Sequence, residues 1–173
     1  GMIAACGREA PRIALLTPGR FNQTYAEQAH LARYLGFPLV EGRDLSVVED
    51  RLWVGTIAGP KRVDSIWRWI NTTSLDPLAF DARSQLGVAN LFEAWARGGV
   101  GMINWPGTEV LESPAFAAFM PRLCKVLLGE EPILPNIATW WCGQAAESAT
   151  VAGRLAELAV LPAFGQPVEA LER

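Results

Sequence analysis

The sequence predicts an α/β fold with a mainly parallel sheet, and three consecutive segments carry this prediction. Residues 12–17 form a short apolar run that ends at Pro18-Gly19, as expected of a strand buried on both faces. A helical pattern follows and ends at Gly36, and residues 38–40 form a second apolar run. Strand, helix and strand within about 30 residues make a βαβ unit, which is right-handed in nearly all proteins. We therefore predict a Rossmann-like domain with helices on both faces of its sheet.

The first helix is predicted from its two ends. Thr24-Tyr25-Ala26-Glu27 has the spacing of a capping box, in which the first and fourth side chains accept hydrogen bonds from free backbone N–H groups at the helix start. Gly36 is the residue type that commonly closes a helix in the left-handed conformation.

Residues 47–63 break the alternation of strands and helices. Two short apolar runs flank the polar pair Glu49-Asp50, which is the pattern of a hairpin, and a second turn follows at Ala58-Gly59-Pro60. We interpret this stretch as a small antiparallel β-meander inserted into the α/β core.

The remainder of the chain resumes the alternation. Residues 65–70 predict a third core strand, residues 86–97 a helix, and residues 100–104 a fourth core strand. Ser113-Pro114 predicts the start of another helix, which Pro121 should kink or split. We further expect a loop or edge strand over residues 132–142, a helix over 148–158 and a short strand over 159–162.

Composition limits the kinds of partner and site. The net charge is −3 and the basic residues are scattered singly or in pairs, so the clustered basic face that binds nucleic acid is not expected. One histidine and three irregularly spaced cysteines argue against a zinc site and a disulfide framework. No apolar run approaches the ~20 residues that span a bilayer, and residues 1–6 lack the charged flank of a signal peptide. We therefore expect no nucleic-acid partner, no membrane partner and a cytoplasmic location.

Candidate binding residues lie in the loops after the predicted strands, because ligands of open α/β sheets bind beyond the carboxyl ends of the strands. A plain turn explains each loop by itself about equally well. No Walker loop and no GxGxxG motif follows the first strand, which disfavours a dinucleotide site of the usual kind. The candidate substrate-binding residues are Arg68, Thr17, Gly19, Glu41, Asp44, Asn71 and Asn104.

Arg68 is the most informative of these residues. It shares one face of the third predicted strand with Ile66 and Ile70. An arginine in such an apolar run is costly to desolvate without a partner, so we expect one. Either the guanidinium binds a substrate carboxylate or phosphate bidentately, or it pairs with a carboxylate of the chain itself. The internal candidates are Asp44, Glu41 and Asp76.

A series of short motifs runs from about residue 11 to residue 167 and so covers nearly the whole chain. They are Leu15-Leu16-Thr17-Pro18-Gly19, Leu39-Val40-Glu41-Gly42, Val63-Asp64 leading to Arg68, Asp76-Pro77-Leu78, Leu86-Gly87-Val88, Asn104 with Pro106-Gly107, Leu128-Gly129-Glu130-Glu131, and Pro162-Ala163-Phe164-Gly165. Each motif is weak alone, but in this order they resemble the circularly permuted ATP-grasp family, bacterial proteins long catalogued as domains of unknown function.

The resemblance implies an ATP-dependent ligase that joins a carboxylate to an amine. ATP would phosphorylate the carboxylate of a small-molecule or peptide substrate, and the amine would then displace phosphate from the acyl phosphate. Residues 11–135 would be the Rossmann-like pre-ATP-grasp domain beside the substrate cleft, and residues 136–173 the start of the nucleotide-binding part or a C-terminal extension. ATP and Mg are implied for the full-length family, with the rest of the ATP-grasp protein or a companion chain as partner.

Two departures from the family pattern bear on activity. Leu161 stands where the family usually has an ATP-contacting lysine, and Trp69, Asn71 and Thr72 follow Arg68 where the family tends to show a second arginine and an acidic pair. The segment with the family's metal ligands precedes the matched region in the permuted order. We therefore expect a substrate-cleft domain in which Arg68 contacts the substrate carboxylate, with no cofactor or metal site of its own and no catalysis alone.

Two alternatives remain open at the level of sequence. One is a degenerate, non-catalytic binding or protein-interaction module of the same family, which the loss of the lysine at Leu161 favours. The other is an independent small Rossmann enzyme, which would need a general base near the strand ends, and Glu41 and Asp44 are the candidates.

Overall fold

The computed structural model describes residues 9–164, and the chain divides into two compact units, residues 1–106 and 107–173. The predicted domain boundary between residues 135 and 136 lies within the second unit and stays a prediction. In chain order, the elements of the first unit are β1 (Ile13–Thr17), α1 (Tyr25–Leu35), β2 (Leu39–Glu41), β3 (Leu45–Val48), β4 (Arg51–Val54), β5 (Lys61–Val63), β6 (Ser65–Arg68), α2 (Thr72–Leu75), α3 (Leu91–Ala96) and β7 (Gly101–Met102).

The main sheet has four parallel strands in the order β2-β1-β6-β7. Leu15 of β1 lies opposite Leu39 on one side and Trp67 on the other, and every residue of β1 is buried. The predicted α/β class with a mainly parallel sheet is therefore confirmed. Because the chain passes from β1 to β2 on one side and later returns to β6 on the other, the strand order reverses beside β1. In open α/β sheets such a reversal marks the place where ligands bind.

Helix α1 connects β1 to β2 and contacts both strands. It ends at Gly36, which has φ 72° and donates its backbone N–H to the carbonyl oxygens of Ala32 and Arg33. The glycine closure expected from the sequence is confirmed, and its left-handed conformation is one that a side chain would disfavour.

The predicted antiparallel meander is also confirmed. Strands β3, β4 and β5 form a three-stranded antiparallel sheet, and the hairpin between β3 and β4 turns at Glu49 and Asp50, with φ of 50° and 58°. Two successive positive φ angles match the right-handed twist of a two-residue hairpin. Leu52 from this sheet and Leu16 and Ile66 from the parallel sheet belong to one apolar core.

Three predicted elements of the first unit are shorter in the structure. The strand predicted over residues 65–70 ends at Arg68, and the one predicted over 100–104 spans only Gly101–Met102. The helix predicted over 86–97 begins at Leu91, because the backbone turns at residues 86–90 instead. Asn90 has φ 65°, and the buried carboxylate of Asp76 accepts the backbone N–H groups of Asn90 and Phe92, so the helix start is fixed from outside the helix.

The second unit is helical within its described part, residues 107–164. Its elements are α4 (Met120–Leu128), α5 (Ala145–Ala152) and three short 3-10 helices at Thr108–Glu112, Pro114–Ala118 and Leu155–Glu157. The predicted split at Pro121 is confirmed, since a 3-10 helix precedes it and α4 begins with Pro121 in its first turn.

Of two further predictions for the second unit, one is correct only in part and the other is wrong. The helix predicted over residues 148–158 spans Ala145–Ala152, and residues 159–162 are not a strand. An apolar run becomes a strand only where it can pair, and residues 159–162 pair with no strand in the described chain. Residues 132–142, predicted as a loop or edge strand, form a loop. Among the described residues, no helix is long and apolar enough to cross a membrane.

Candidate functional site

A cleft of about 430 Å³ lies at the carboxyl ends of β1 and β2. Its volume falls within the range of small-molecule sites. The lining residues come from the loop after β1, the loop after β2 and the turn before α3, and they are Thr17, Pro18, Gly19, Arg20, Phe21, Glu41, Gly42, Arg43, Gln85 and Leu86.

The loop after β1 is held by buried polar groups. The Thr17 hydroxyl donates to Oε1 of Gln28 at 2.6 Å and accepts the backbone N–H of Gly19 at 3.1 Å. Gln28 is buried on α1, and its Nε2 donates in turn to the Thr24 hydroxyl at 2.8 Å. Because each buried polar group has a partner, the network stabilises one loop conformation and fixes the floor of the cleft.

Gly19 brings the backbone close to the Glu41 side chain. Its φ of 105° is unfavourable for any residue with a side chain, and a Cβ there would lie 3.3 Å from the Glu41 carboxylate. Glu41 accepts the backbone N–H of Asp44, while Asp44 Oδ2 accepts the Glu41 N–H at 2.9 Å. The predicted residue Asp44 thus closes the 3-10 turn Gly42–Asp44 and is absent from the cleft lining.

Gly42 joins the second loop to the turn before α3. A Cβ on Gly42 would lie 2.2 Å from the Leu86 carbonyl oxygen and 2.6 Å from that of Gly87. The backbones pack directly against each other, so only glycine fits at this position. This contact places Gln85 and Leu86 on the wall of the cleft, far in sequence from the strands that form its floor.

The cleft carries two guanidinium groups and one carboxylate. Arg43 Nη2 lies 2.9 Å from Glu41 Oε2, and the Arg43 side chain remains 76% exposed. Arg20 is exposed and its guanidinium carbon lies 4.9 Å from the Phe21 ring centroid. Within residues 9–164, Arg20 forms no ion pair with a carboxylate. One positive charge therefore remains uncompensated at the mouth, which favours an anionic ligand.

Arg68 lies in a different place from the cleft lining. It is 4% exposed, and its guanidinium donates to the carbonyl oxygens of Ile70 at 2.6 Å, Trp105 at 3.1 Å and Asn104. Nη2 also donates to the Thr72 hydroxyl at 3.1 Å. These contacts satisfy the buried charge with backbone oxygens from the ends of β6 and β7.

Asn104 pairs with the backbone of Arg68 as a neighbouring strand would. Its Oδ1 accepts the Arg68 N–H at 3.2 Å, and its Nδ2 donates to the Arg68 carbonyl at 2.6 Å. The side chain thereby extends the β6–β7 ladder by one residue after β7 itself has ended. We call Arg68 and Asn104 together the strand-end clamp.

The predicted site residues thus separate into two groups. Thr17, Gly19 and Glu41 meet at the cleft, whereas Arg68 and Asn104 form the strand-end clamp. Asn71 is exposed at the N-cap position of α2. The carboxylates proposed as internal partners of Arg68 make other contacts: Asp76 accepts the backbone N–H groups of Leu78, Asn90 and Phe92, and Glu41 and Asp44 bond within their own turn.

The cleft lining includes residues that were not among the predicted site residues: Arg20, Phe21, Arg43, Gln85 and Leu86. Arg20 and Phe21 lie in the loop after β1 and Arg43 lies in the loop after β2, so counting charges in the loops after the strands would have found the arginines. Gln85 and Leu86 carried no such signal, because neither is charged and neither directly follows a predicted strand.

The chain is similar to a known family over almost all of its length. A family model described as circularly permuted ATP-grasp type 2 matches residues 2–171. An uncharacterized protein of Mycobacterium tuberculosis is 39% identical over 150 residues, covering 87% of this chain and 17% of that protein. An uncharacterized protein of Synechocystis is 39% identical over 151 residues, covering 87% of this chain and 31% of that protein. An uncharacterized protein of Mycobacterium leprae is 36% identical over 162 residues, covering 94% of this chain and 29% of that protein. The chain therefore spans less than a third of the length of these relatives.

Proposed function

Because the chain belongs to the circularly permuted ATP-grasp type 2 family, we propose that its first unit supplies the substrate cleft of an ATP-dependent carboxylate–amine ligase. The observation that carries the proposal is the cleft at the carboxyl ends of β1 and β2, with its excess of positive charge. In this role residues 11–135 act as the pre-ATP-grasp domain, and residues 136–173 begin the nucleotide-binding part or a C-terminal extension.

The substrate carboxylate is held by Arg20 and Arg43. Arg20 has no carboxylate partner in the described part of the chain, and Arg43 reaches the cleft while paired with Glu41. Two guanidinium groups can bind a carboxylate with charge-assisted hydrogen bonds and hold it in position for attack on the γ-phosphorus of ATP. Arg68 supports the cleft indirectly and does not contact the ligand, because the strand-end clamp holds the ends of β6 and β7 together.

The residues described here do not fit a complete nucleotide and metal site. Within residues 9–164, no three His, Cys, Asp or Glu side chains converge where a metal ion could bind. Leu161 is exposed and apolar where the family usually has a lysine. We therefore assign the metal site and the rest of the nucleotide site to the remaining part of the longer family proteins, and the binding and orientation of the carboxylate to this chain.

Carboxylate binding can be tested by titrating the ¹⁵N-labelled chain with glutarate and following amide chemical shifts. We expect the amides of Gly19, Gly42 and Arg43 to shift, with a Kd in the millimolar range that is typical of a small ligand held by few contacts. Arg20→Gln combined with Arg43→Gln should raise Kd at least tenfold, which corresponds to about 1.4 kcal/mol.

Arg83→Gln is the matched control for this titration. Arg83 is also exposed and pairs with Asp81 at 3.0 Å, but it lies outside the cleft lining. Glutarate shifts that spread over the surface, or that weaken equally in the Arg83→Gln variant, would contradict binding in the cleft.

The ligase role is tested by complementation. The chain is mixed with a Synechocystis relative from which the matching segment has been removed, and binding of ATP with Mg²⁺ is measured by calorimetry. We expect the mixture to bind nucleotide and the chain alone not to. A folded mixture that binds no nucleotide would count against a shared ligase site.

Leu161 supports a second candidate function, a non-catalytic binding module of the same family. In that case the mixture would bind the carboxylate but would release no ADP with any amine, and Leu161→Lys would raise its affinity for ATP. ADP release by the mixture that carries Leu161, dependent on both a carboxylate and an amine, would exclude this second candidate.

A further inference from the structure

The second unit buries almost none of the apolar residues in its described part. Of the 18 buried apolar residues in the described chain, 17 lie in the first unit, and the second unit contributes Ala115 alone. A segment of this length that folds independently encloses an apolar core of its own. Residues 107–164 therefore contain helices without the burial that normally stabilises helices.

Helix α4 has an apolar stripe along one side. Met120, Leu123 and Leu127 follow one another at spacings of three and four residues and form a single stripe, whereas Arg122 and Lys125 lie on the other side of the helix. Such a stripe normally faces a core. Here no residue of α4 is buried, and Leu127 is 74% exposed.

The loop after α4 exposes two further apolar residues and is tied both to α4 and to the 3-10 helix before it. Glu131 Oε1 lies 3.2 Å from Lys125 Nζ, and the Asn136 side chain donates to the Ala117 carbonyl at 2.9 Å. Between these two attachments, Ile133 is 95% exposed and Leu134 is also exposed. We call the α4 stripe with Ile133 and Leu134 the open apolar face.

We propose that the open apolar face is a docking surface for the remaining body of the ATP-grasp protein, the polypeptide by which the longer relatives exceed this chain. These relatives extend beyond the matched region by more than two thirds of their length. Exposed apolar side chains in a unit with almost no buried apolar residue are what such a body would cover, because burying them is favourable by about 25 cal/mol per Å². The open apolar face consists of residues of the second unit and the carboxylate cleft of residues of the first, so the two proposals can fail independently.

The test grafts this chain into the Synechocystis relative in place of the matching segment and compares unfolding midpoints. Leu127→Asp and Ile133→Asp, each in the graft, should lower the midpoint by at least about 3 °C, because each places a charge in a buried apolar contact. In the isolated chain the same two variants should unfold within about 1 °C of the parent, since the positions are exposed there.

Ile57→Asp is the matched control, because Ile57 is an exposed apolar residue of the first unit that lies outside this surface. It should leave the graft unchanged. The proposal is overturned if Leu127→Asp and Ile133→Asp are as harmless in the graft as Ile57→Asp is. It is also overturned if sedimentation shows the isolated chain forming dimers that Leu127→Asp abolishes, since a second copy would then be the occupant. Glutarate binding in the cleft, measured on the same graft, reports separately on the proposed function.

Discussion

At the residue scale, Arg68 is a buried arginine whose guanidinium donates hydrogen bonds to several oxygen atoms. The guanidinium donates to backbone carbonyls on both sides of the β6–β7 junction, and its own backbone is held by Asn104. Hydrogen bonds from a charged donor are worth roughly 1.5–3 kcal/mol each, and a buried carbonyl left without a donor costs about 1–3 kcal/mol. We therefore expect Arg68 to contribute mainly to the stability of the fold and less to ligand binding.

Arg68→Met should lower the free energy of unfolding by at least about 2 kcal/mol, because it leaves several buried carbonyl oxygens without donors. Urea unfolding followed by tryptophan fluorescence measures this change. Arg20→Met serves as the comparison and should alter stability by no more than about 0.5 kcal/mol, since Arg20 is exposed. If Arg68→Met unfolded like the parent and lost glutarate binding instead, the roles given to the two arginines would be reversed.

The direction of the Arg68 side chain could not be predicted from the strand pattern. Period-two alternation places a residue on one face of a sheet, and it correctly indicated that Arg68 is buried and needs partners. It says nothing about where a long side chain turns beyond the strand end. The partners include the carbonyl oxygens of residues 70, 104 and 105, and a backbone oxygen leaves no mark in the sequence.

At the element scale, Asp76 links two helices that are distant in sequence. Its Oδ1 accepts the backbone N–H groups of Leu78 at 2.9 Å and Asn90 at 3.2 Å, and its Oδ2 accepts that of Phe92 at 3.0 Å. The carboxylate thus follows α2 directly and caps the start of α3 from a buried position. A negative charge beside free N–H groups at a helix start is favourable.

Asp76→Asn should lower the free energy of unfolding by about 1.5–3 kcal/mol, because the amide nitrogen cannot accept one of the three hydrogen bonds and the charge is lost. Asp81→Asn is a suitable control. The Asp81 side chain is 40% exposed, and although the Arg83 hydrogen bond lowers the pKa of its carboxyl group, a surface pair of this kind contributes little to stability. Equal unfolding midpoints for the two variants would contradict the capping role of Asp76.

Elements whose ends are fixed by residues adjacent in sequence were predictable, and elements whose ends are fixed by residues distant in sequence were not. Helix α1 and the meander carry their own signals, in Gly36 and in the Glu49-Asp50 turn. Helix α3 starts at Leu91 because a carboxylate some fifteen positions earlier caps it, so the local apolar period overestimated its length. Residues 159–162 have strand-like composition but no partner strand in the described chain, and composition cannot supply one.

At the scale of the whole molecule, the two units differ in how their secondary structure is stabilised. The first unit buries β1 on both faces and shares one apolar core between its two sheets. In the second unit, neither α4 nor α5 has a buried residue. Helices of eight or nine residues are marginal in water without tertiary packing, so the second unit should open far more readily than the first.

Amide hydrogen exchange measures this difference directly. The amides of Leu15 and Leu16 lie in the central strand and should exchange only on global unfolding, whereas those of Lys125 to Leu128 should exchange by local opening. We expect protection factors at least about 100-fold higher in β1 than in α4, corresponding to roughly 2.7 kcal/mol. In the graft with the Synechocystis relative, α4 should gain protection while β1 keeps it, because docking buries the open apolar face. Protection of α4 in the isolated chain equal to that of β1 would mean that the second unit already has the packing it needs, and the docking proposal would then lose its physical basis.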